Sequence, residues 1–240
     1  MTESAAPTFV RDPTITRGVA ARALHPVARL PEEWKAVMSE LGEKPFRARQ
    51  IFRWIHTRGV LDAEHMTDLS RSMRQTMRED GLVEPGEVTT VHESVDGTRK
   101  VLLTLAHGAK IETVLIPMTP GGLDADLDPD PDPDEEVELD LPKKRITLCI
   151  STQFGCAMGC VFCASGQAGL FRGLGAAEVV YQVLVARRFL RPDEGIRNLV
   201  FMGMGEPLHH YEETERALRL LTHPEADGMS PRRITVSTVG

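Results

Sequence analysis

A chain of 240 residues, 41% hydrophobic and 26% charged, has the composition of a folded globular protein and not of a disordered one. Its formal charge is −7, from 28 Lys and Arg against 35 Asp and Glu, and no apolar run reaches the roughly 18 residues that a membrane span needs. The first thirty residues mix Glu3, Arg11, Asp12 and Arg17 among apolar ones, so there is no signal-peptide core, and a cytoplasmic protein with no membrane partner is expected.

Residues 1–30 carry Pro7, Pro13 and Pro26 and no sustained period, which predicts a flexible arm. A helical unit follows over 31–85. Pro31 suits a first helical turn, and Trp34, Val37, Met38 and Leu41 recur at helical spacing. Pro45 opens a second helix with Ala48, Ile51, Phe52 and Ile55 on one stripe, ending near Gly59. Thr67 is the expected cap of a third helix carrying Leu69, Met73 and Met77. Eight basic residues (Lys44, Arg47, Arg49, Arg53, Arg58, Arg71, Arg74 and Arg78) face three acids in this stretch. Such a pattern is either a solvated helix face or a surface that meets phosphates.

Residues 86–118 read as an antiparallel β meander. The turn signals Asp96-Gly97 and His107-Gly108 separate β-rich runs at 88–95, 100–105 and 110–116. Over 119–142 lies an acidic Asp/Pro-rich loop with ten acids and no Lys or Arg. Without it the chain carries 28 basic against 25 acidic residues, so the body is mildly basic and an anionic partner fits it. From 143 to 240 strand-like runs at 145–151, 197–202 and 233–239 alternate with helical runs at 176–190 and 211–221. That order predicts an α/β fold with a parallel sheet, the first half of a larger barrel.

All four cysteines fall in this last part, within fifteen residues, which points to a metal site or a reactive thiol and not to a disulfide scaffold. Cys156, Cys160 and Cys163 form a C-x3-C-x2-C loop directly after a strand. Three thiolates so close can hold three irons of a [4Fe–4S] cube and leave the fourth open, with zinc or unligated core cysteines as the alternatives. His209 and His210 read as polar loop residues. Gly203-Met204-Gly205-Glu206-Pro207 ends the next strand, where its glycines allow close approach of a ligand and Glu206 offers an acceptor for an ammonium group. Alternation puts Ile146, Leu148 and Ile150 on one strand face and Thr147, Cys149 and Ser151 on the other, towards the barrel interior. Thr235 and Ser237 are likewise opposite Ile234 and Val236. By itself Cys149 reads as a small buried hydrophobe, and it is the neighbouring motifs that turn it towards the cavity.

The cysteine loop, the Gly-Met-Gly-Glu-Pro turn and Ser237-Thr238 resemble the radical SAM superfamily. More narrowly, Pro45-Phe46-Arg47-Ala48-Arg49-Gln50-Ile51 with Trp54-Ile55-His56, Glu112-Thr113-Val114-Leu115-Ile116-Pro117 and Thr147-Leu148-Cys149-Ile150-Ser151 resemble the RlmN/Cfr family of RNA adenosine methyltransferases. The resemblance runs from about residue 31 to 240, interrupted by the acidic loop. It implies a partial (β/α) radical SAM barrel preceded by the small helical domain and the meander. It implies that Cys156, Cys160 and Cys163 hold a [4Fe–4S] cluster whose open iron chelates S-adenosylmethionine, with Gly205, Glu206 and Ser237 also binding that cofactor. Glu112 matches the family's proton acceptor, and Cys149 the thiol that helps resolve a covalent protein–RNA intermediate. The implied substrates are adenine C2 in 23S rRNA and in tRNA anticodon loops, or adenine C8 of rRNA for a Cfr-type member. The implied partners are 23S rRNA, tRNA and an electron donor such as flavodoxin or ferredoxin, and the family also carries a disulfide bond. Its methyl-carrying cysteine and later strands would lie beyond Gly240, so this C-terminally truncated chain is expected not to turn over alone. A non-catalytic RNA-binding module is the reading from a different class.

Overall fold

In the computed structural model of the protein, residues 23–118, 144–226 and 228–239 are described. The helical unit contains α1 (Pro31–Glu40), α2 (Phe46–His56) and α3 (Arg71–Glu79). Pro31 at the first turn of α1 costs no hydrogen bond, and Trp34, Val37 and Met38 bury its apolar stripe. α2 buries Ala48, Ile51, Phe52 and Ile55 as the periodicity predicts. α3 starts later than expected. Ser70, not Thr67, caps it, accepting a hydrogen bond from the Met73 N–H at 3.2 Å, and Leu69 is buried just ahead of the helix.

The predicted arm is corrected in its last part. Val27, Ala28 and Leu30 are buried, and Arg29 is wholly buried in an ion pair with Asp80, 4.8 Å from the Trp34 ring centre. Apolar side chains at 27, 28 and 30 give this stretch a face to bury, and Pro26 sets its short turn. The rest of the arm, and the acidic loop, lie outside the described residues.

The meander strands are β1 (Gly86–Glu93), β2 (Arg99–Leu105) and β3 (Lys110–Pro117). They continue into β4 (Lys144–Cys149), which pairs antiparallel with β3. Beyond it a short ribbon forms from β5 (Gln153–Gly155) and β6 (Leu170–Gly173), with α4 (Ala164–Ala168) between them. Then come α5 (Ala176–Arg187), β7 (Glu194–Phe201), α6 (Tyr211–Leu221) and β8 (Ile234–Val236). The main sheet has six strands in the order β1-β2-β3-β4-β7-β8, with β4, β7 and β8 parallel. Meander and half-barrel are thus one mixed sheet, and the α/β class holds.

One face of the sheet, carrying Val101, Leu103, Ile111, Leu115, Ile146, Leu148 and Ile150, joins the helices in a single core. α5 is apolar nearly all round, so it is buried from Ala176 to Ala186. The core runs without a break into the helical unit. Arg216 reaches Glu33 at 2.8 Å, and the Arg187 guanidinium donates to the His56 carbonyl at 2.7 Å. A buried ion pair, Arg99 to Glu194 at 2.7 Å, ties β2 to the start of β7. Among the described residues no helix is long and apolar enough to cross a membrane.

Candidate functional site

Strand register gathers the site. Val114 lies opposite Cys149, Cys149 opposite Val200, and Val200 opposite Thr235. Directly paired residues share a face, and so do residues two apart on one strand. Glu112, Cys149 and Thr235 therefore stand on the same face of the sheet, and Ser237 follows just past the end of β8. This is the face away from the helix-packed core.

Cys149 is half-buried. Burial pushes its thiol up from the ordinary value, against an opposing hydrogen bond from the Met202 backbone, so it is a protonated thiol at neutral pH. Glu112 is partly exposed and pairs with Lys100 at 3.0 Å. Lys100 lies opposite Val114, diagonal to Glu112 across β2 and β3. An exposed pair of this kind adds little stability, but it gives the carboxylate a cationic neighbour and a direction.

The turn after β7 is built around Ser151, which the alternation set facing inward, and Gln153, which carried no signal in the sequence. Ser151 is fully buried; its hydroxyl donates to the Glu112 carbonyl at 2.7 Å and accepts from the Met204 N–H at 3.0 Å. Gln153, also buried, accepts from the Glu206 N–H at 3.0 Å and meets His209 at 3.1 Å. The two glycines serve this packing. A Cβ on Gly203 would stand 2.7 Å from the Ile150 carbonyl oxygen, and one on Gly205 would stand 2.6 Å from the Gln153 Cβ. On their Cβ sides these glycines meet the chain's own backbone and side chains, while Gly203 is otherwise exposed. Gly205 also has φ +109°, so Gly205→Ala is expected to cost at least about 1–3 kcal/mol by urea unfolding, and a cost near zero would show that the turn simply rearranges.

Glu206 is buried and its carboxylate is engaged. It accepts from the Leu208 N–H and the Val239 N–H, each at 3.0 Å, and from the Thr238 hydroxyl. Burial would raise its pKa, but these hydrogen bonds outweigh that and hold it below the usual carboxylate range. It joins the end of β7 to the end of β8, with some lone-pair capacity left over.

The cysteine loop leaves β5 at Gly155. Cys156 is buried and its N–H donates to the Gly169 carbonyl at 3.0 Å; Cys160 and Cys163 are half-exposed. All four cysteines are free thiols, so the disulfide bond that the resemblance implied has no pair among the described residues. Nor do any three Cys, His, Asp or Glu side chains there converge to hold a single metal ion. A cube spreads three thiolates over three irons, so its ligands need not meet at one point. Three free, soft donors on one loop fit that group in chemistry. His209 and His210 are structural, His210 packing closely over Gly173.

Residues 31–83 match the profile of the ribosomal RNA large subunit methyltransferase N-terminal domain, and residues 150–240 that of the radical SAM superfamily. The dual-specificity RNA methyltransferase RlmN of Sorangium cellulosum is 60% identical over 230 residues, covering 90% of this chain and 58% of that relative. The dual-specificity RNA methyltransferase RlmN of Halorhodospira halophila is 45% identical over 205 residues, or 85% of this chain and 50% of that one. The crystal structure of a radical SAM methyltransferase from Sphaerobacter thermophilus superposes with a TM-score of 0.76 at 35% identity, over 90% of this chain and 57% of that one. The chain thus spans between half and three fifths of the length of these proteins. It belongs to the RlmN/Cfr family of radical SAM methyltransferases, on the RlmN side.

Proposed function

We propose that this chain is the cofactor-binding and RNA-contacting part of a radical SAM methyltransferase acting on adenine C2 in 23S rRNA and in tRNA anticodon loops. The observation that carries the reading is the strand register, which sets Glu112 and Cys149 on one sheet face, away from the helix-packed core, with the cysteine loop following β4 and β5. Relatives named RlmN at up to 60% identity favour C2 over the C8 chemistry of a Cfr-type enzyme.

Cys156, Cys160 and Cys163 would hold the [4Fe–4S] cluster, and Gly205, Glu206 and Ser237 would border S-adenosylmethionine. When bound, these groups supply the radical chemistry and the methyl group, with electrons from a donor such as flavodoxin or ferredoxin. The chain's own residues position and protect. Glu112 takes up the proton lost from the adenine carbon, and Lys100 keeps its carboxylate aimed across the face. Cys149 enters as a neutral thiol able to give up a proton. Arg47, Arg74 and Arg78 bond inside the helical unit, to Gln50, Leu69 and Glu64 among others, whereas Lys44, Arg53 and Arg71 are exposed for phosphates.

Anaerobic reconstitution tests the assignment. The chain should take up about four irons, and Ala at Cys156, Cys160 or Cys163 should abolish uptake, while Cys149→Ala keeps it. Equal loss in Cys149→Ala would remove the distinction between ligand and catalytic thiol. A chain that binds RNA but takes up no iron would be a binding module instead.

A further inference from the structure

The ribbon of β5 and β6 lies beside the cysteine loop and has no part in the roles assigned so far. Phe154 is on β5 and Phe171 on β6, and their rings stack with centroids 4.7 Å apart and planes 27° from parallel. Phe154 packs against the core, whereas Phe171 is 65% exposed. A large aromatic ring left open in this way forgoes the burial of much of its apolar surface.

The ring is also held in place. Gly155 has φ +78°, and a Cβ there would stand 3.1 Å from the Phe171 ring and 1.9 Å from the Gly169 carbonyl oxygen. The missing side chain at Gly155 therefore lets the ring lie against the backbone one residue ahead of Cys156. With one face backed by Phe154, the ring offers a flat π surface whose orientation is already fixed, so little entropy is lost when something stacks on it. A flat, backed, exposed aromatic is the element that proteins use to hold an unpaired base. Arg172, next along β6, is turned to Glu178 at 2.5 Å and does not make this a phosphate contact.

We propose that Phe171, backed by Phe154, is a stacking platform for an unpaired nucleobase of the RNA substrate at the edge of the cysteine loop. It is a positioning residue, and the inference rests on the RNA reading above. An apolar segment of protein seated on the ribbon is the competing occupant, and it would need apolar area at residue 171 but not an aromatic ring.

The test uses the full chain, reconstituted anaerobically, and an RNA stem-loop whose loop adenines are replaced one at a time by 2-aminopurine. With the unaltered chain, binding should quench the probe at one loop position. Phe171→Ala and Phe171→Leu should both weaken binding roughly 5- to 100-fold and lose that quenching, while Phe171→Trp keeps the affinity. Iron content should be the same in all four proteins, which shows that the loop beside the ribbon is intact. Phe171→Leu binding as tightly as Phe171 would overturn the proposal in favour of plain apolar packing, and so would an unchanged Phe171→Ala. If the unaltered chain binds no RNA, the RNA reading itself fails and this inference fails with it.

Discussion

Arg99→Met should lower the unfolding free energy by about 3–5 kcal/mol, because it leaves Glu194 buried with its main charge partner gone. The two side chains are 5% and 1% exposed, and the guanidinium also donates to the Phe189 carbonyl at 2.5 Å. Glu194 would retain the Arg191 N–H at 2.9 Å and the Arg191 guanidinium at 3.8 Å, which places the effect towards the lower end. The double change Arg99→Met with Glu194→Leu should recover most of the loss, since replacing both members of a buried pair by apolar groups is often close to neutral. Urea midpoints for the two single variants and the double decide it. A loss under about 1 kcal/mol for Arg99→Met would mean that water or Arg191 already compensates Glu194.

Acid should weaken the junction between the helical unit and the barrel through His56. This imidazole is buried on α2, 4.3 Å from the Phe52 ring centre, and its Nε2 has no hydrogen-bond partner. Burial first, then the positive charge of Arg187 and the nearby His223, push its pKa down to about 3 from an ordinary 6.5. The folded chain thus refuses a proton that the unfolded chain accepts. Stability falls as the pH drops below about 6.5, and the loss is complete only near pH 3. At pH 4 it amounts to about 3 kcal/mol, at about 1.4 kcal/mol per unit. His56→Leu should flatten the slope of stability against pH between 6.5 and 4. An unchanged slope would assign the acid sensitivity to the carboxylates.

Much of the architecture was written in periodicity. Alternation in residues 146–150 gave a strand and the face that it buries, because a half-buried strand repeats every second residue, while turn signals between β-rich runs gave the meander without its buried face. The C-x3-C-x2-C loop needed no structure to be noticed, since its donors are neighbours in sequence. Two kinds of feature escaped. Short elements such as β5 and β6 are held by the close approach of Gly155 to Gly169, and three or four residues carry no period. Burial of residues 26–30 depends on α6 and Asp80 arriving from far along the chain, as when Arg216 donates to the Ala28 carbonyl at 3.2 Å. Gln153, and the hydrogen-bonding role of the inward-facing Ser151, escaped for the same reason: nothing local tells a buried polar hub from a loop residue. Lys100 was within reach, because the His107-Gly108 turn fixes the register that sets it diagonal to Glu112.

The antiparallel pairing of β3 with β4 bears on how this chain tolerates change. Pro117 faces Ile146, and the Met118 N–H donates to the Arg145 carbonyl at 2.9 Å, so the two ends of residues 119–143 are adjacent whatever joins them. Closing a hairpin costs only about 0.6 kcal/mol more for each doubling of the connection, so growth from a handful of residues to twenty-five costs roughly 1.5 kcal/mol. Length, and with it a run of acidic charge, can drift at that hairpin over evolutionary time while Val114 stays opposite Cys149 and Glu112 keeps its place on the face.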